Sequence, residues 1–246
     1  KNVSFKVDPG ETVALIGPNG AGKSTLMSLL LRFYDPRSGR ILVDGHDVRE
    51  VKLDSLRGGI SVVLQEAKLF NKTVRENIAF GKAGATDEEI VRAARLAQAH
   101  DFIMKMPRGY DSMIEEGGDN FSGGERQRLN IARAIVRDAP IVLLDEPVTA
   151  LDARTESRVR EALEQLTRGK TTFIVAHKYG TIADANKVLV LERGRVAAFG
   201  THQQLIETSP WYRTLYESQF RALESHTTLD AAVRETRQVA PIEGTS

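Results

Sequence analysis

The apolar positions of this chain fall into short runs divided by turn residues, and their spacing changes along the sequence. Thr12–Ile16 (TVALI), Ile60–Leu64 (ISVVL), Pro140–Leu144 (PIVLL) and Thr172–Ala176 (TFIVA) are almost continuously apolar. Runs of this length, rich in β-branched residues, predict strands covered on both faces, as in a parallel sheet. Val188–Leu191 and Arg195–Phe199 predict strands around the Glu192-Arg193-Gly194 turn, and Arg40–Val43 another that ends at Asp44-Gly45. Val3, Phe5 and Val7 alternate with polar residues, which predicts a half-buried strand over Lys1–Val7, stopped by Asp8-Pro9-Gly10.

Helical spacing fills the intervals. Ser24–Phe33 reads as a buried helix, and Thr73–Phe80 as one capped by Thr73 with Glu76 three residues on. Asp87–His100 predicts a helix capped by Asp87, with Ile90, Ala94 and Ala97 on one face. Helical pattern then continues to about Asp138, broken at Pro107, Gly109 and Gly117-Gly118. Thr155–Leu166 is amphipathic, with Val159, Ala162, Leu163 and Leu166 on one side. Helices from about Thr201, and from about Pro210 to Phe220, precede a polar stretch over 224–246 that reads as a disordered tail. Alternating strands and helices predict an α/β domain over 1–223, with helices on both faces of a sheet and an inserted helical subdomain over about 87–138. No repeat at a solenoid period is present.

Composition narrows the partners. At 246 residues and 41% hydrophobic, the chain can bury one large α/β core. A net charge of +1 gives no general attraction to nucleic acid or anionic membrane, so no nucleic-acid partner is expected. Cysteine is absent, which excludes a disulfide framework and suits a reducing compartment. No apolar run approaches the roughly 18–20 residues that cross a bilayer, so any membrane role would be borrowed from another segment. The chain opens at Lys1, inside what reads as a strand, and is expected to be part of something longer.

Candidate chemistry begins at Gly17-Pro18-Asn19-Gly20-Ala21-Gly22-Lys23-Ser24-Thr25, which fits the phosphate-loop pattern G-x-x-x-x-G-K-[ST] between a strand and a helix. Glycines let backbone N–H groups turn inward around a phosphate chain, Lys23 supplies a cation for the β- and γ-phosphates, and the Ser24 hydroxyl is a ligand for Mg²⁺. Three more apolar runs end in polar groups suited to nucleotide chemistry: Gln65, Asp145-Glu146 and His177. In open α/β sheets ligands bind beyond the carboxyl ends of the strands. Asp145 suits an acidic group that holds Mg²⁺, and Glu146 is placed to orient or deprotonate an attacking water. Each also has a plainer reading, as a solvated strand end, a loop amide or a rim histidine. Phe121-Ser122-Gly123-Gly124-Glu125-Arg126-Gln127 reads both as a capping box that starts a helix and as an anion site with two unhindered glycine amides.

With these motifs in this order, the chain resembles the nucleotide-binding domain of ATP-binding cassette (ABC) proteins over about residues 1–220. Ser122-Gly123-Gly124 with the downstream Leu144-Asp145-Glu146-Pro147 carries the resemblance. It implies a P-loop NTPase core with a mostly parallel sheet, a truncated N-terminal antiparallel β subdomain and an inserted helical subdomain. It also implies ATP and Mg²⁺ as cofactors and a head-to-tail dimer of such domains. In that dimer Ser122, Gly123, Gly124, Glu125 and Gln127 close the site built on the partner's phosphate loop. Glu146 would be the general base, His177 would touch the γ-phosphate, and Gln65 would touch Mg²⁺ beside Ser24 and Asp145 and relay to membrane segments. Asp152 would cross the dimer interface, or else merely cap the helix after it.

Leu69–Ile78, Glu116-Gly117-Gly118 and Gly200-Thr201-His202 look like the exporter branch, whose membrane helices precede this domain in one chain on the cytoplasmic face of a membrane. Glu116 would then lie near the other subunit's transmission contacts. A separate-subunit importer ATPase and a soluble ABC ATPase are the alternatives. Departures from the family pattern are Val148-Thr149, Glu125 in place of Gln, and Lys178-Tyr179-Gly180. The family's adenine-stacking aromatic residue lies ahead of Lys1, which implies weak ATP binding.

Overall fold

The structure is a computed structural model and describes residues 2–66, 68–147, 151–176 and 179–219. Six strands form the main sheet in the order β4-β5-β6-β1-β7-β8. They are β1 (Thr12–Ile16), β4 (Ile60–Val63), β5 (Ile141–Asp145), β6 (Thr171–Val175), β7 (Lys187–Glu192) and β8 (Arg195–Gly200). All neighbours are parallel except β7 and β8, which close as a hairpin through Arg193-Gly194. A short antiparallel pair, β2 (Leu42–Val43) and β3 (His46–Asp47), turns at Asp44-Gly45. The apolar runs became strands covered on both faces, with β1, β5 and β6 inside the sheet and β4 at its edge, and alternate residues feed different cores. On one face Val13, Leu15, Leu143, Leu189 and Leu191 pack with Leu26 and Met27 of α1 (Lys23–Leu30). On the other, Ala14, Ile16, Val188 and Val190 pack beneath α8 (Tyr179–Ala183), α9 (His202–Thr208) and α10 (Pro210–Gln219).

Val142 and Leu144 of β5 enter a third cluster, under α3 (Val74–Ala79), α4 (Asp87–Leu96), α5 (His100–Met104), α6 (Gly123–Arg137) and α7 (Ala153–Thr167). The remaining helix, α2 (Leu53–Gly58), leads into β4. Capping boxes start α3, α4, α6 and α9, at Thr73/Glu76, Thr86/Glu89, Ser122/Glu125 and Thr201/Gln204.

Two expectations are corrected. Thr86, not Asp87, caps α4, because its hydroxyl reaches the Glu89 N–H and Glu89 answers to the Thr86 N–H. Residues 2–7 form no strand, since no strand among the described residues pairs with them; Phe5 instead lies against Phe173 and Phe199, at 6.4 and 5.6 Å between ring centres. The expected tail over 224–246 lies outside the described residues.

Candidate functional site

Parallel pairing puts the carboxyl ends of β4, β5, β6 and β1 side by side, as Val63↔Leu144, Asp145↔Val175 and Leu15↔Val175 show. On that edge lies a cavity of about 270 Å³, lined by Asn19–Thr25, Asp145, Glu146 and Val175. Gly17 and Pro18 sit behind it, and their carbonyls accept hydrogen bonds from Lys23 Nζ at 2.8 and 3.3 Å. Burial pushes the Lys23 ammonium down; Glu146 and then Asp145 pull it back up. A partly desolvated cation beside two carboxylates, resting on two backbone carbonyls, is ready for an anion with more negative charge to offer.

The loop's backbone is held from outside. Gly17 has φ +143°, and a Cβ there would lie 2.1 Å from the Leu191 carbonyl oxygen of β7, so only glycine fits. The Gly194 N–H of the β7–β8 turn donates to the Ala21 carbonyl at 2.9 Å. Gly22, with φ +110°, starts α1 without a side-chain cap, and no acidic residue lies in the helix's first turn. The contrast with the four boxed helices is informative: α1 leaves its positive end to whatever occupies the cavity.

Glu146 carries a left-handed backbone, φ +43°, rare for a residue with a side chain. Such strain gathers where a side chain must be aimed. Gln65 follows β4 and is exposed. His177 follows β6 but lies outside the described residues, as do Val148, Thr149 and Lys178.

The turn that starts α6 is not part of the cavity's lining. Ser122 Oγ and its N–H both donate to Glu125 Oε2, at 2.8 and 2.9 Å, and the Glu125 N–H returns to Ser122 Oγ at 3.3 Å. Gly123 is exposed, whereas Gly124 is buried, so the two amides are not equally open. Gln127 points inward, 5% exposed, and its Nε2 donates to the Leu64 carbonyl at 3.3 Å. Asp152 caps α7, its Oδ1 accepting from the Arg154 and Thr155 N–H groups at 3.1 Å.

Sequence reasoning missed Arg133 of α6. Its guanidinium reaches the Asn77 carbonyl, Asn77 Oδ1 and the Lys68 carbonyl at 3.0–3.1 Å, and lies over the rings of Phe70 and Phe80. The available signal was an arginine four residues beyond Leu129 and three before Val136, both buried.

Residues 1–149 match the family model described as ABC transporter. The chain belongs to the ABC transporter family. Within that family it is 48% identical over 221 residues to the ATP-dependent lipid A-core flippase of Syntrophus aciditrophicus (strain SB), a match that covers 90% of this chain and 37% of the flippase. It is likewise 48% identical over 218 residues to the putative multidrug export ATP-binding/permease protein YgaD of Bacillus subtilis (strain 168), covering 89% of this chain and 38% of that protein. A bacterial Atm1-family ABC exporter solved with ATP bound superposes with a TM-score of 0.81 at 44% identity, over 88% of this chain and 38% of its own. The chain thus spans a little over a third of the length of the relatives it matches. Among its described residues no helix is long and apolar enough to cross a membrane.

Proposed function

We propose that this domain binds ATP in the Lys23 cavity and hydrolyses it to power export across a membrane. The observation that carries the reading is one cavity that gathers an uncapped helix end, a desolvated lysine and the Asp145-Glu146 pair. These are the groups needed to hold a phosphate chain and to act on its end. Ser24 and Asp145, with Gln65 from the end of β4, would hold Mg²⁺. The donor set fits, since Mg²⁺ takes one or two carboxylates and completes its shell with phosphate oxygens and water. When bound, Mg²⁺ neutralises charge on the β- and γ-phosphate oxygens.

Lys23 would leave the Gly17 and Pro18 carbonyls for those phosphates. Glu146 would take the proton of the attacking water, with His177 beside the γ-phosphate. Ser122, Gly123, Gly124, Glu125 and Gln127 are assigned to a second cassette's nucleotide in a head-to-tail dimer, with Gly124 and Gln127 acting from behind the turn. The partner in the membrane is assigned to the remaining length of a protein like the ATP-binding/permease relatives, with this domain on the cytoplasmic face. No nucleic-acid partner is proposed.

Phosphate release by the full-length protein tests the assignment. Glu146→Gln lowers turnover by about 10²–10⁴-fold, the usual worth of a general base, while ATP still binds. Hydrolysis unchanged by the substitution removes Glu146 from that role.

A further inference from the structure

We propose that Thr155 is a positioning residue for the Ser122–Gln127 turn: its Cγ2 methyl fills the space that any side chain at residue 124 would need. A Cβ on Gly124 would lie 2.0 Å from Thr155 Cγ2, 3.4 Å from Thr155 Cβ and 3.7 Å from Leu151 Cδ2. The first separation is far inside van der Waals contact; the other two are ordinary. A Cβ on Gly123 would meet nothing closer than Leu151 Cδ2, at 3.9 Å. The two adjacent glycines are therefore small for different reasons. Gly123 faces solvent, and Gly124 is bare because α7 of the same chain presses on it.

Thr155 cannot easily turn the methyl away. It is β-branched, which restricts χ1. Its N–H donates to Asp152 Oδ1 at 3.1 Å, and its side chain is the leading reason the Asp152 carboxyl is held below its usual range. Asp152 lies on the connection that leaves β5 with Glu146. The cap of α7 thus aims Thr155, and Thr155 sets how closely the start of α6 can approach. The start of α7 and the Ser122 turn of one chain meet through a single methyl group. This inference rests on the reading of Ser122–Gln127 as an ATP-contacting turn.

A suppressor pair tests it in the full-length protein, with ATP hydrolysis and thermal midpoint both measured. Gly124→Ala lowers the midpoint and cuts hydrolysis by about 10²-fold, the cost of misplacing a group by about 1 Å. Adding Thr155→Ser keeps the hydroxyl for Asp152 and removes Cγ2; it restores the midpoint and returns hydrolysis to within about threefold of wild type. Adding Thr155→Val, which keeps a methyl on that side, restores neither. If Gly124→Ala does not fold, recovery of folded protein with Thr155→Ser is itself the rescue. Loss in the Gly124→Ala/Thr155→Ser protein equal to that of Gly124→Ala overturns the contact. A restored midpoint with hydrolysis still low overturns the positioning role. A wild-type protein that hydrolyses no ATP sinks the ATPase reading instead, and the midpoints still decide the contact.

Discussion

Glu125 places a negative charge where the proposed partner nucleotide would bring several more. Its carboxylate already takes the Ser122 N–H and hydroxyl, two donors a phosphate would use. Glutamine closes a capping box as well as glutamate does, so Glu125→Gln keeps the start of α6 and removes the repulsion. At this half-buried site such a charge is worth about 1 kcal/mol, or roughly fivefold in affinity. KM for ATP is expected to fall by that factor, with the thermal midpoint unchanged; a KM that does not move means the carboxylate faces away from bound ATP. Legibility at this scale followed reach along the chain. The phosphate loop and the Ser122 cap are written in neighbouring residues, so the sequence shows them. That Gly124 is buried and Gln127 turned inward depends on α7 and β4, which are distant in sequence, and no local pattern announces either.

Helix α6 bonds both flanks of the segment that carries Gln65. Gln127 holds the Leu64 carbonyl and Arg133 the Lys68 carbonyl. Arg133 stands 5.1 and 5.7 Å from the ring centres of Phe70 and Phe80, and burial pushes its guanidinium down to about 10. A desolvated cation is retained here because its planar fork satisfies three acceptors at once. Arg133→Met would take this donor from the Asn77 and Lys68 carbonyls, while Asn77 Oδ1 keeps the Phe70 N–H, and would cost about 2–3 kcal/mol, seen as a lower midpoint. It is also expected to lower kcat more than it raises KM, because the Gln65 segment loses one anchor while the Lys23 cavity is untouched. Arg133→Lys should recover little, since an ammonium cannot serve the same fork; full recovery would show that charge alone suffices. The elements themselves were largely legible. Thr12–Ile16 has the bounds its apolar run predicts, and Val159, Ala162, Leu163 and Leu166 line the buried side of α7. The failure at residues 2–7 has a physical cause: alternation specifies which side chains face inward, but a strand also needs a ladder, and no partner strand lies alongside.

The sheet order decides what one chain can do alone. Strands β4, β5, β6 and β1 are consecutive across it, so one edge collects the phosphate loop, Asp145 and Glu146 around the cavity, with Gln65 two residues past the end of β4. The Ser122 turn belongs to a helix in a different core cluster and contributes nothing to the cavity's lining. If that turn closes a second chain's site, two defects in different chains should complement. Ser122→Ala and Lys23→Ala proteins are each expected to hydrolyse little ATP. Assembled together at equal amounts, half of the dimers are mixed, and each mixed dimer holds one site with both an intact Lys23 and an intact Ser122. With twofold closed symmetry and independent sites, the mixture recovers roughly a quarter of wild-type turnover. Were Ser122 to serve its own Lys23, the mixed dimers would hold no intact site, and the mixture would stay as inactive as its parents.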